Sequence, residues 1–181
     1  MLLDAFARID AINAEGPDDR ELLYSRRMTE RLDRLEPDAS DALRIAVRAQ
    51  HIARWRIPRS DYPEGRAGYK RWRATLARMH ADVCAEILVA VGYGDDTIAR
   101  VRVMLTKARL KQDPEVQTLE DVACLVFLEH YAIEFAAKHP EDKVVDILRK
   151  TWTKVSDRGH RAALALDLPA ALRALIDRAL A

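Results

Sequence analysis

The sequence predicts an all-α fold, a compact multi-helix bundle formed by a single domain over residues 1–181, and three observations predict it. Glycine and proline are scarce, at 6 and 7 residues, too few for a turn-rich β protein. Apolar residues recur at three- and four-residue spacing, and no segment shows sustained alternation, repeats or low complexity. Asp, Ser or Pro repeatedly precedes those segments, where helices take their caps. A composition of 49% hydrophobic and 33% charged residues is globular, and 181 residues suffice to bury a sizeable core.

In chain order the start and stop signals outline about eight helices. The first covers about 2–14 and stops at Gly16-Pro17. The second opens at Asp18 or Asp19, carries Leu22, Leu23, Met28, Leu32 and Leu35, and ends before Pro37. A third runs from about Asp38 to Arg54, burying Leu43, Ile45, Ala46, Val47 and Ile52, and leads into the irregular loop WRIPRSDYPEGRAGY, which holds two prolines and two glycines. The fourth spans about 67–91 and stops at Gly92 and Gly94, and the fifth runs from Asp95 to about Lys107. Asp113 is a good N-cap and Pro114 a good first residue for the sixth, which continues through LEDVACLVFLEHYAIEFAAKH, the most apolar segment of the chain. The seventh covers about 141–156 and stops before Gly159; the eighth, about 169–180, starts at Asp167 and Pro169.

Composition also bounds the partners. A formal net charge of +1 gives the molecule no overall pull toward nucleic acid or an acidic membrane. With a sequence pI of about 7.8, no zinc-finger cysteines and no helix-turn-helix spacing, a nucleic-acid partner is disfavoured. Cys84 and Cys124 both sit in apolar helical runs, as buried thiols of a reducing compartment do. The start, MLLDAFARID, places acidic residues where a signal peptide needs an apolar stretch, and no apolar run approaches the ~20 residues of a membrane span. A cytoplasmic protein with no membrane partner is expected, and a homodimer stays open.

Ionisable residues on apolar helix faces must be paired, bonded or metal-bound, which directs attention to three places. Gln50 and His51 close the third helix, His80 lies in the middle of the fourth, and Glu120 and Asp121 begin the apolar run of the sixth. Asp121 shares the inward face of Leu125 and Leu128, four and seven residues on. Imidazole and carboxylate groups converging from separate helices suit a divalent zinc, manganese or iron ion, with Gln50, His51, His80 and Asp121 as the ligand set. Each histidine alone is more often an ordinary core or surface residue. Between the histidines runs a basic, aromatic stretch with Arg54, Arg56, Arg59, Arg66, Lys70, Arg71 and Arg73 alongside Trp55, Tyr62, Tyr69 and Trp72. Guanidinium groups bind phosphate in pairs of parallel bonds and aromatic faces stack bases, so Arg54, Trp55, Arg59, Tyr69, Arg73 and Lys107 are the expected contacts of a phosphorylated small molecule or nucleotide. The competing reading is a solvated helix face with core tryptophans. Neither cysteine stands at an electropositive helix start, and no Gly-rich phosphate loop occurs.

The stretch ELLYSRRMTERLDRLEPDASDALRIAVRAQHIARW, then HADVCAEIL, then LEDVACLVFLEHY resemble in order the ligand-bearing helices of HD-domain phosphohydrolases. That resemblance implies an HD-like fold, a divalent metal and hydrolysis of a phosphate-bearing substrate, with Glu120 and Asp121 in catalytic roles. Tyr24 stands near where the first histidine of the pattern belongs, and Gln50-His51 where a His-Asp pair is expected. Through QHIARWRIPRSDYP, GYKRWR, DPEVQTLEDVACLVFLEHY and ILRKTWTKVSDRGH the chain more closely resembles the family called domain of unknown function 4202, over nearly its whole length. The expectation is therefore an HD-like helical protein that binds a phosphate-bearing small molecule or nucleotide, as a metal-dependent phosphohydrolase. Its rival is a non-catalytic ligand-binding or protein-interaction module on a degenerate HD-like scaffold.

Overall fold

Ten α-helices form at the capped, apolar-spaced segments, joined by two short 3-10 turns and with no strand, in a computed structural model that describes residues 1–181. The chain gathers into two compact units, Met1–Leu110 and Lys111–Ala181. No helix is long and apolar enough to cross a membrane.

The first unit holds α1 (Leu2–Ala14), α2 (Arg20–Leu35), α3 (Asp41–Arg48), α4 (Gly65–Val91) and α5 (Asp95–Leu105). Short α3 is its centre and packs on α1, α2 and α5, while α4 packs on α1 and α5. The Ser40 hydroxyl caps α3 by accepting from the Leu43 N–H at 3.1 Å, and Ala42, Leu43, Ile45, Ala46 and Val47 are buried. Arg48, the last residue of α3, fastens the neighbours together. Its guanidinium donates to both Asp10 oxygens on α1 (2.9 and 2.6 Å) and to the Thr29 hydroxyl on α2 (3.1 Å).

The third helix thus ends at Arg48, not Arg54. Residues 49–53 turn away, and Ala53 takes a left-handed backbone, φ +52°. A residue with a Cβ adopts that conformation at a cost of about 1 kcal/mol. Its N–H is received by the Asn13 side-chain oxygen at 3.1 Å, so α1 holds the turn in place. At the far end of α5 a Schellman cap forms: Lys107 N–H donates to the Met104 carbonyl and Ala108 N–H to the Val103 carbonyl, with Lys107 left-handed at φ +54°. Gly92 closes α4 by the same device at φ +92°, as the sequence predicts.

The second unit holds α6 (Pro114–His130), α7 (Ala132–Ala137), α8 (Glu141–Trp152), α9 (Asp157–Leu164) and α10 (Ala170–Leu180). Helix α6 packs on α7 and α9, and α8 on α7 and α10. Asp113 caps α6 from the predicted position, its carboxylate accepting from the Glu115 and Val116 N–H groups. Two expectations fail here. The sixth helix does not continue to residue 139: Tyr131 leaves helical geometry (φ −129°, ψ −21°) and Phe135 turns back edge-on against Phe127, 5.8 Å between centroids. The seventh stops at Trp152, because Ser156 starts a separate helix, its hydroxyl accepting from the Gly159 N–H. Gly159 was expected beyond a helix end, but lies inside α9, where a Cβ would stand 2.8 Å from Asp121 Cγ.

Candidate functional site

His80 shares one face of α4 with Arg73 and Leu76, seven and four residues earlier. Its Nδ1 lies 2.6 Å from the Ile52 carbonyl, in the turn that follows α3. A carbonyl only accepts, which assigns the proton to Nδ1 and leaves Nε2 of the neutral ring as an acceptor. Burial first, then Arg54 and Arg73, outweigh the Ile52 bond and push the His80 pKa down to about 3. The residue is 4% exposed, and Nε2 has no hydrogen-bond partner.

His51, in the same turn, is half-buried and stacks flat on Tyr24 of α2, with centroids 4.1 Å apart and planes 13° from parallel. The His80 ring is 6.1 Å away. Burial lowers the His51 pKa well below its ordinary value, and Arg54, His80, Arg73 and Lys107 lower it further. Three cations therefore raise the potential at one neutral imidazole. Arg54 is itself depressed, first by burial and then by Arg73, against Tyr24, Tyr69 and Glu21. Gln50, beside His51 in the turn, is 5% exposed, and its Oε1 also lacks a partner.

The basic loop divides into residues that hold it and residues that join the cluster. The Trp72 indole on α4 donates to the Ile57 carbonyl at 2.9 Å, and the Arg59 guanidinium to the Tyr62 and Pro63 carbonyls at 2.7 and 3.0 Å. Gly68 lets Pro63 pass against α4, since a Cβ there would fall 1.9 Å from the Pro63 oxygen. Trp55 packs against Gly16 at the end of α1, with Arg56 over its ring at 5.2 Å. Arg54, by contrast, lies over Trp72 at 4.6 Å and reaches the histidines, while Tyr69, half-exposed, tilts against Trp72 at 5.8 Å. Of the residues expected to hold phosphate, then, Arg54, Arg73 and Lys107 act on His51 through their charge, and Arg59 is engaged with backbone.

Asp121 and Glu120 belong to α6, in the second unit. Asp121 is 2% exposed and fully engaged locally: Oδ1 accepts from the Gln117 amide and the Ser156 N–H, both at 2.9 Å, and Oδ2 from the Ser156 hydroxyl. It anchors the first turn of α9, where a negative charge also complements the helix dipole. Glu120 is half-buried. No group of three or more His, Cys, Asp or Glu side chains stands close enough together to hold a metal ion. His51 has Arg54, Arg73 and Lys107 among the charges acting on it, and His80 has Arg54 and Arg73.

Sequence reading missed Asn13 and Glu21. The signal for Asn13 was present, because it continues the inward spacing of Ala5 and Ile9 on α1. Glu21 precedes Tyr24 by one helical turn, but nothing local tells which way that face of α2 turns.

No curated protein and no solved structure matches the chain. A family model described as a domain of unknown function (DUF4202) matches residues 3–176, almost the entire length, and the chain belongs to that family.

Proposed function

We propose that the first unit binds a phosphate-bearing small molecule, nucleotides included, at the cluster around His51 and His80. One observation carries this reading: Arg54, Arg73 and Lys107 all act on the half-buried, neutral His51, so the ring stands in a positive potential that suits an anion. A phosphate dianion in that potential accepts several charge-assisted hydrogen bonds. Half-exposed Tyr69 offers a ring face for a base. The metal and the hydrolysis implied by the HD-domain resemblance stand outside this reading, because the cluster pairs neutral imidazoles with guanidinium and ammonium groups instead of carboxylates. Binding of this kind is the ligand-binding form of the rival expectation.

Calorimetric titration with AMP and pyrophosphate tests the proposal. Both are expected to bind, and Arg73→Ala is expected to weaken both about tenfold, the magnitude of one hydrogen bond to a charged group. Binding that is absent, or unchanged in Arg73→Ala, would refute it.

A further inference from the structure

The cations account for an anion, but they leave an acceptor unaccounted for. His80 is 4% exposed, its Nδ1 proton is committed to the Ile52 carbonyl at 2.6 Å, and its buried Nε2 lone pair meets nothing. A buried acceptor without a donor costs about 1–3 kcal/mol. The phosphate of a monoester cannot supply the donor. Its second pKa lies near 6, and neighbouring cations lower it, so each of its terminal oxygens at neutral pH is an acceptor. A ligand ammonium group is disfavoured too, because Arg54 and Arg73 already make the potential at this ring positive. What remains is an uncharged O–H or N–H close to the phosphate. The Gln50 amide oxygen, unpartnered and 5% exposed in the adjoining turn, creates the same demand a second time.

Resting on the phosphate reading above, we infer that the ligand is an ester of phosphate with a hydroxyl- or amino-bearing carrier, such as a polyol, sugar or nucleoside, and that His80 Nε2 accepts a hydrogen bond from that carrier while Arg54 and Arg73 hold the phosphate. His80 then selects esters whose carrier offers an O–H or N–H over simple alkyl esters. Its role is positioning and discrimination, since its depressed pKa keeps it from donating a proton at neutral pH.

The test compares methyl phosphate with glycerol 3-phosphate, which adds hydroxyl donors within reach of the same phosphate. In the wild-type protein glycerol 3-phosphate is expected to bind roughly tenfold more tightly, the value of one well-placed hydrogen bond that also rescues a buried acceptor. His80→Asn keeps an amide N–H for the Ile52 carbonyl but removes Nε2, and there the two esters should bind alike. The ¹⁵N shift of His80 Nε2 gives a second readout in unmutated protein: it should move with glycerol 3-phosphate and stay with methyl phosphate. Equal wild-type affinities, or an Nε2 signal that ignores both esters, overturn the assignment of His80 and leave phosphate binding standing; the acceptor would then be satisfied by a resident water. If neither ester binds, the phosphate reading itself falls and takes this inference with it.

Discussion

Replacing Lys107 by glycine should make the protein more stable and a weaker binder. Lys107 occupies the residue just past α5 at φ +54°, the position of a Schellman cap that glycine fills in α4 at Gly92. A side chain in the left-handed region costs about 1–2 kcal/mol, and glycine returns about 0.5–1 kcal/mol of that as extra freedom in the unfolded chain. The net gain is roughly 0.5–1 kcal/mol, or about 1–4 °C in Tm for a chain of this size. Losing one cation from the surroundings of His51 should weaken AMP binding about tenfold. Lys107→Ala separates the two effects, because it removes the charge and keeps the left-handed backbone: affinity should drop as far, with no gain in Tm. Thermal unfolding followed by circular dichroism, paired with calorimetric titration, measures both quantities on the same samples. A lower Tm for Lys107→Gly, or an AMP affinity equal to wild type, would show that Lys107 is not a strained residue kept for its charge.

Acid should destabilise the first unit through its histidines. Both pKa values are depressed, so the unfolded chain binds protons that the native state refuses; stability is fully present above about pH 6.5 and falls as pH drops toward about 3 for His80. His80 alone contributes about 1.4 kcal/mol per pH unit in that window, roughly 2 kcal/mol between pH 6.5 and 5. Urea melts across that range should show the slope, and His80→Asn should flatten it; an unchanged slope would mean that His80 titrates normally in the fold. In the second unit, Asp121→Ala strands the Ser156 and Gln117 donors and should cost about 2–4 kcal/mol, with amide exchange accelerating first in α9. Wild-type exchange rates in α9 of that variant would sink the anchoring role.

How much of the fold was legible depended on whether a local signal had one structural meaning. Asp113-Pro114 and Gly92 did, and α6 begins and α4 ends at those residues. Gly159 did not. A glycine that ends a helix and a glycine that lets a helix touch a buried carboxylate look alike in sequence, and only the presence of Asp121 against α9 decides between them. Tyr131 is harder still, since the apolar spacing runs unbroken across the point where Phe135 folds back on Phe127.

The candidate site shows the same limit in its polar residues. His51 and His80 stood out because an ionisable group in an apolar helix demands a partner, and that demand is real for both; the partners were what sequence could not supply. Asp121 raised the same demand and meets it with Ser156 and Gln117 inside its own unit, as a helix anchor. His80 meets half of it with the Ile52 carbonyl, a backbone group with no signature, exposed by a turn that exists because Asn13 receives the Ala53 N–H. Asp121 accepts three hydrogen bonds within its own unit, whereas the buried His80 imidazole, beside Arg54 and Arg73, has one nitrogen bonded and the other bare, a fixed tautomer with an unmet acceptor.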